Sequence, residues 1–395
     1  MPTLSPDLEF ARFCPILGVA QKVREAPRPV IDLGVGVPGF LPAPHIVEAA
    51  VRAANEDTGG YGSSRGDEAL LSAYLGYLHD LGFTQYSRQN LVAGLGAKHL
   101  LFSVLRAIIR PGDEILVSTP CWPTYFDIAD LVGAGVVNVS CSAQTDFKMT
   151  AQALESALCD KVRVVMLNSP GNPTGAVYTA AELASLAQVL RKKDVWIISD
   201  DVYQRFVYGM ESCPSLLSVA PDLSDRIIKI DSVSKLYGMP GWRVGLLAAD
   251  PRIADAVTTL NSNSISNIPP IAAAAAAAAF GGDQTFSHAA RDRLLAQRQS
   301  LLADLQGAAH LRFCEPSGAF YLFMDISQTL GKSYRGRLIA DDEAFCSVLL
   351  EEYGVALIPG SFFGAPGHAR LSYSGNAGQV KSGVVRLKEF LAALS

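Results

Sequence analysis

Through the middle of the chain, short β-branched apolar runs alternate with longer stretches of helical periodicity. Ile115–Ser118, Val136–Ser140, Arg163–Asn168, Val195–Asp200, Ile227–Asp231 and Val244–Ala248 predict strands, and Ala97–Ile109, Ala151–Leu158, Ala180–Arg191 and Arg252–Leu260 predict helices between or after them. Strands that are apolar throughout and separated by helices imply an α/β fold: a mostly parallel sheet covered by helices on both faces. Ligands of such sheets sit at the carboxyl ends of the strands. Beyond Leu260 the pattern changes. Ile268–Phe280 holds eight consecutive alanines. It is too short to span a bilayer, and alanine's high helix propensity predicts a packed helix. A long polar helix from about Thr285 to Gly307 follows, then shorter strands and helices to Ser395. A chain of 395 residues exceeds one ordinary core. The expected division is a large domain over 46–284 and a smaller α+β domain built from the N-terminal arm, 1–45, and the C-terminal part, 285–395.

Composition narrows the function. Apolar residues make up 49% and charged residues 18%, interspersed, as in globular proteins. A net charge of −5 without a Lys/Arg cluster argues against a nucleic-acid partner. Met1–Phe10 has neither a basic nor an apolar leader region, so neither secretion nor a membrane anchor is expected. Seven scattered cysteines without a C-x-x-C pair suggest neither a disulfide framework nor a zinc site, and no metal is expected. The expected compartment is a reducing cytoplasm.

The densest chemistry follows the strand ending at Asp231. Ser232-Val233-Ser234-Lys235 leads into Gly238-Met239-Pro240-Gly241-Trp242-Arg243. A lone lysine is usually a solvated charge. Here two serines upstream and an arginine eight residues downstream, across a glycine-rich turn, leave room for a phosphate. Hydroxyls and a guanidinium grip such oxygens with charge-assisted bonds of about 1.5–3 kcal/mol each. This block resembles the S-x-S-K…R motif of the fold-type-I, pyridoxal 5′-phosphate-dependent aminotransferases of the aspartate aminotransferase type. The resemblance implies that Lys235 carries the cofactor as an internal aldimine and later shuttles protons, while Ser232, Ser234 and Arg243 hold its phosphate.

Other blocks agree in order from about Pro15 onward. Val195–Asp200 reads as a buried strand ending in an acid, which in isolation is a helix cap. The family's D-x-x-Y spacing fits Asp200 and Tyr203, an acid for the pyridine nitrogen and a hydroxyl for the ring O3′; Asp201 stands where relatives commonly carry Glu. A buried anion there favours the protonated ring, the electron sink for a carbanion at Cα. Asn168-Ser169-Pro170-Gly171-Asn172-Pro173-Thr174-Gly175 is a rigid turn on its residues alone. The family's N-P-x-N-P-T-G-like turn makes Asn172 a second donor to O3′. Gly94-Leu95-Gly96-Ala97-Lys98 opens a helix, whose N-terminal amides form an anion site. By resemblance Gly96, Ala97 and Lys98 meet the phosphate, and Trp122 stacks on the ring, core packing being its alternative. Arg370, in Ala369-Arg370-Leu371-Ser372 after Pro359-Gly360-Ser361-Phe362-Phe363-Gly364, matches the arginine that binds the substrate α-carboxylate; on residues alone, an internal salt bridge serves as well. Gly36, in Leu33–Phe40, would give its amide to the same carboxylate. Tyr61 matches the tyrosine that reaches a neighbouring subunit's phosphate, which implies a homodimer.

Three blocks depart from the family. Gly36–Phe40 lacks the usual acids, Leu70-Leu71-Ser72 stands where Leu-Arg is common, and Asn261–Pro270 contains no second arginine for a dicarboxylate side chain. Phe13, Phe40, Tyr125 and Phe363 are candidate aromatic residues at the entrance. The expected reaction is amino transfer between an L-amino acid and a 2-oxo acid. Elimination, replacement, cyclisation or oxidation on the same quinonoid is the alternative, since the ring-holding residues would be shared. A sensory domain of a transcription regulator is a third reading, disfavoured by the acidic charge and by family-like sequence beginning near Pro15.

Overall fold

The computed structural model describes residues 14–56 and 60–395. Its centre is a seven-stranded sheet: β1 (Leu91–Gly94), β2 (Glu114–Thr119), β3 (Gly135–Ser140), β4 (Val162–Asn168), β5 (Trp196–Asp200), β6 (Ile227–Ser232) and β7 (Gly245–Ala248), in the order β1-β7-β6-β5-β4-β2-β3. Only β7 runs against the rest, being antiparallel to β1 and β6 while the other pairs are parallel. The expected mostly parallel α/β sheet is therefore present, with an edge strand, β1, that the hydrophobic pattern does not reveal. Its four residues are too few to show alternation, and they run straight into the Gly94–Gly96 turn. β6 is buried over its whole length, whereas edge strand β3 keeps several side chains in water.

Helices cover both faces. Ala97–Ile108 packs Leu100, Leu101, Val104, Leu105 and Ile108 into one core, each contributing about 1.5–3 kcal/mol on burial. The alanine helix runs Pro270–Gly281, two residues later at its start than the pattern suggests, because a proline is tolerated in a helix's first turn. Its methyl groups let it lie close against helices Pro44–Asn55 and Glu68–Asp80, with Phe280 wedged edge-on to Tyr74 at 5.2 Å between ring centres. No helix among the described residues is long and apolar enough to cross a membrane.

A second, antiparallel sheet lies in the C-terminal part: β8 (Arg312–Phe313), β9 (Tyr321–Asp325), β10 (Ile358–Pro359) and β11 (His368–Ser372), in the order β10-β11-β9-β8. The N-terminal segment joins it. Ile31–Asp32 pairs in parallel with Val355–Ala356, and Ser372 N–H donates to the Leu33 carbonyl at 2.7 Å. The long helix Thr285–Leu305 ties both ends together: Arg293 donates to the Gly39 and Gly375 carbonyls at 2.9 and 3.1 Å, and buried Gln297 donates to Tyr373 and Gly375.

Candidate active site

A cavity of about 250 Å³ opens at the carboxyl ends of β4, β5 and β6. On its floor β6 hands over to a short helix, Val233–Leu236, whose N-cap is Ser232: its Oγ accepts from Ser234 N–H at 3.1 Å and lies 2.9 Å from the Val244 carbonyl. One turn on, Lys235 Nζ donates to the Gly36 carbonyl across the cavity. Burial, with the Arg370 and Arg243 cations adding to it, lowers this amine to about 8. An unusually large share of it is thus an uncharged nucleophile near neutral pH.

Asp200 closes β5 and is 2% exposed. Tyr125 Oη donates to its Oδ2 at 2.7 Å. Burial raises the carboxyl to about 6, the Tyr125 hydrogen bond opposing it. Asp201 belongs to another environment. Successive side chains leave a strand in opposite directions, and Asp201 accepts from Ser199 Oγ at 2.7 Å and Lys229 Nζ at 2.5 Å, off the cavity wall. Strand alternation therefore separates the two adjacent acids.

The proline-rich turn is pinned to the same strand ends. Asn168 Nδ2 donates to the Asp200 carbonyl at 2.8 Å, and Asn168 Oδ1 accepts from Asn172 N–H at 2.9 Å. Asn172 Oδ1 then accepts from Arg370 Nη1 at 2.8 Å, which leaves the amide NH₂ as its donor. Arg370, on β11, is 2% exposed, donates to the Gly34 carbonyl at 2.6 Å, and lies over the Tyr321 and Phe363 rings at 4.6 and 4.8 Å. The internal salt bridge that sequence leaves open does not form: Arg370 has no ion pair among the described residues, and its Nε has no partner at all. A buried guanidinium without an anion is costly, and burial lowers its pKa. Among the described residues, no negative charge pairs with this guanidinium, an arrangement that suits a carboxylate.

At the other end, Ala97 and Lys98 form the first turn of their helix, whose leading amides have no intrahelical acceptor. They line the cavity together with Ser232, Ser234 and Arg243. Arg243, at φ +57°, donates to the Pro240 and Leu95 carbonyls at 2.9 and 3.1 Å. Gly96 differs from its neighbours: it is off the wall, its N–H donates to the Gly94 carbonyl at 2.8 Å, and a Cβ there would come 2.4 Å from Arg243 Nη2. Its geometry makes room for the guanidinium. Trp122 lines the cavity with Lys98 Nζ 5.0 Å from its ring centre, and Tyr203 Oη lies 2.7 Å from Tyr321 Oη.

The cavity thus gathers twelve of the fourteen sequence-predicted site residues, all but Gly96 and Tyr61. Tyr61 is 92% exposed and away from it. Sequence reasoning missed Tyr321 and Ile16 on the wall, and it cast Tyr125 as an entrance aromatic when its hydroxyl serves Asp200. Of the other entrance aromatics, Phe363 is buried under Arg370, Phe40 packs edge-on against Phe286 at 5.5 Å, and Phe13 lies outside the described residues. Asn261, in the block lacking a second arginine, is buried and spends its amide on the Ser64 and Ala93 carbonyls.

These groups fit pyridoxal phosphate. A guanidinium, two serine hydroxyls and helix-start amides suit a phosphate, with a glycine at position 96 leaving the guanidinium its place. A buried carboxylate suits a ring nitrogen, and an amine held partly uncharged suits an aldehyde.

Comparison with known proteins gives the class. The model of the family "aminotransferase class I and II" matches residues 28–387, and the chain belongs to that family as a pyridoxal 5′-phosphate-dependent aminotransferase. It is 37% identical, over 100% of both chains, to an aspartate/prephenate aminotransferase of Cereibacter sphaeroides, and 36% identical to an aspartate aminotransferase of Geobacillus stearothermophilus, covering 95% of this chain and 94% of the other. Among solved structures, the aspartate aminotransferase of Rhizobium meliloti superposes with a TM-score of 0.95 at 31% identity over 100% of both chains. These likenesses favour amino transfer over the elimination, cyclisation or oxidation alternative.

Proposed function

We propose that the enzyme transfers the amino group of an L-amino acid to a 2-oxo acid on a cofactor attached at Lys235. The observation that carries the assignment of roles is the convergence on one cavity of Asp200 from the end of β5, Lys235 from the helix that follows β6, and Arg370 from the middle of β11. When bound, pyridoxal phosphate supplies an aldehyde carbon that condenses with amines and a protonated ring that draws electrons from the substrate Cα. Ser232, Ser234, Arg243 and the amides of Ala97 and Lys98 hold the phosphate. Asp200, oriented by Tyr125, keeps the ring nitrogen protonated. Tyr203 and Asn172 would donate to the ring's phenolic oxygen, and Trp122 would pack against the ring. Arg370, fixed by Asn172 and Gly34, takes the substrate α-carboxylate in bidentate fashion, with the Gly36 backbone beside it. Lys235 Nζ would serve as the general base that takes the Cα proton, a role worth about 10²–10⁴-fold. Its lowered pKa suits that task near neutral pH.

Three further parts complete the reading, the first by resemblance and the others from the pattern and composition of the chain. The active form is a homodimer in which the exposed Tyr61 reaches the partner's phosphate site; its exposure supports this. Residues 46–284 form the cofactor-binding domain, with 1–45 and 285–395 as the smaller one, and the enzyme works in the cytoplasm. The relatives' names make aspartate and prephenate the first substrates to test.

The test is borohydride reduction of the protein loaded with pyridoxal phosphate, followed by peptide mapping, with spectra recorded across a panel of amino acids. The adduct is expected on Lys235, with conversion to the amine form of the cofactor by at least one donor. An adduct on any other lysine refutes the assignment.

A further inference from the structure

The sequence assigns nothing to Tyr321, yet it touches every functional part of the small-sheet side of the cavity. It stands on β9, 1% exposed, opposite Ser372 of the strand that carries Arg370. Its ring lies 4.6 Å under the Arg370 guanidinium. Its hydroxyl is 2.7 Å from Tyr203 Oη, and a Cβ at position 36 would come within 2.3 Å of the same atom, so the hydroxyl occupies the space that Gly36 leaves open.

We propose that Tyr321 is a positioning residue that couples the two halves of the site, its hydroxyl aiming Tyr203 at the cofactor ring while its ring seats Arg370 for the substrate carboxylate. This rests on the reading of Lys235, Tyr203 and Arg370 given above. The argument is one of hydrogen-bond supply. Tyr203 has one proton, and spending it on the cofactor's phenolic oxygen leaves its lone pairs in need of a donor in a buried pocket. Tyr321 is the phenol within reach. Burial raises the pKa of both phenols, and the Arg370 cation opposes that rise in both. The guanidinium lies directly against the Tyr321 ring, 4.6 Å from its centre, and that contact favours donation from the Tyr321 hydroxyl. With Tyr321 donating, Tyr203 is polarised and keeps its own proton for the ring, since chained hydrogen bonds strengthen each other. The cation–π contact supplies the second function, holding the guanidinium plane without neutralising the charge that the substrate needs.

The test uses the visible absorption of pyridoxal phosphate bound to Lys235, titrated with pH. A donor to the phenolic oxygen stabilises the more negative, deprotonated form, so weakening it raises the half-titration pH. Tyr321→Phe, which keeps the ring, is expected to raise it by about 0.4–1 unit, the equivalent of one buried hydrogen bond, and to leave KM for the amino acid within about twofold. Tyr321→Leu also removes the ring and is expected to raise KM about tenfold, the scale of a cation–π contact. A Phe variant that titrates like the wild type overturns the proposal, and so does a folded Leu variant with unchanged KM. Should the Leu variant fail to fold, the nearly isosteric Phe variant decides alone. Absence of any titrating band in the wild type refutes the underlying reading as well, so the two failures are distinguishable.

Discussion

Lys229 and Lys235 lie six positions apart, one inside β6 and one just past its end, and their surroundings treat them in opposite ways. Lys229 is fully buried between two acids: its Nζ is 2.5 Å from Asp201 and 3.2 Å from Asp231, with Gln204 Oε1 at 2.8 Å. Burial alone would lower its pKa, but the two carboxylates outweigh it and hold the amine charged. Asp231 is further fixed by the Tyr74 hydroxyl at 2.7 Å. Lys235 meets burial with cations instead, and its pKa falls to about 8. A buried lysine with its counter-charges is structural; a buried lysine facing cations is kept ready to react. Charge inventory around the amine, rather than burial, separates the two roles.

Exchanging each lysine for methionine tests that contrast most severely. Lys235→Met is expected to lower transamination by at least the roughly 10²–10⁴-fold of a lost general base, and to remove the borohydride-stable adduct. Without cofactor this variant is expected to be at least as stable as the wild type below pH 8, because it deletes a charge that burial disfavours. The sign can be followed: a folded pKa near 8 against about 10.4 unfolded means the unfolded chain binds more protons between those values. Wild-type stability therefore gains on the variant as pH rises through that window, which denaturation midpoints of both proteins would reveal; a constant difference contradicts it.

Lys229→Met should do the reverse. Leaving Asp201 and Asp231 buried without their cation costs about 3–5 kcal/mol, read as a lower denaturation midpoint, while the refolded or residual native protein still forms the Lys235 adduct. Little change in stability would mean that the carboxylates simply protonate, and that the cluster is weaker than its geometry implies.

The smallest expected effect sharpens the acid side of the comparison. Tyr125 lowers Asp200 against burial, so Tyr125→Phe should raise this carboxyl above about 6. Affinity for pyridoxal phosphate, measured by absorbance titration at several pH values, should then fall off in acid at a pH about half a unit higher than in the wild type. An identical acid limb would show that the ring nitrogen, not Tyr125, sets the ionisation of Asp200.

Much of this was legible beforehand where chemistry and local geometry coincide. The run Ser232–Lys235 with Arg243, the acid at the end of β5 and the turn at Asn172 are contiguous, and each follows a recognisable strand. Short or isolated contributors were not legible. β1 has too few residues for periodicity, and Tyr321 sits in an apolar strand where nothing distinguishes a functional tyrosine from a core one. Asp200 and Asp201 illustrate the boundary: the spacing to Tyr203 selected Asp200, but the reason lies in the pleat that turns Asp201 toward Lys229.

What the sequence by itself determined was the type of fold and the kind of cofactor chemistry, because hydrophobic period and short motifs are local and survive in one dimension. The three-dimensional packing alone decided protonation and pairing: which lysine meets burial with cations, that Arg370 has no acid partner among the described residues, and that Tyr125 and Tyr321 stand behind Asp200 and Tyr203. Those properties depend on low-dielectric surroundings and on neighbours as distant along the chain as Gly34 and Arg370, which only folding brings within hydrogen-bonding reach.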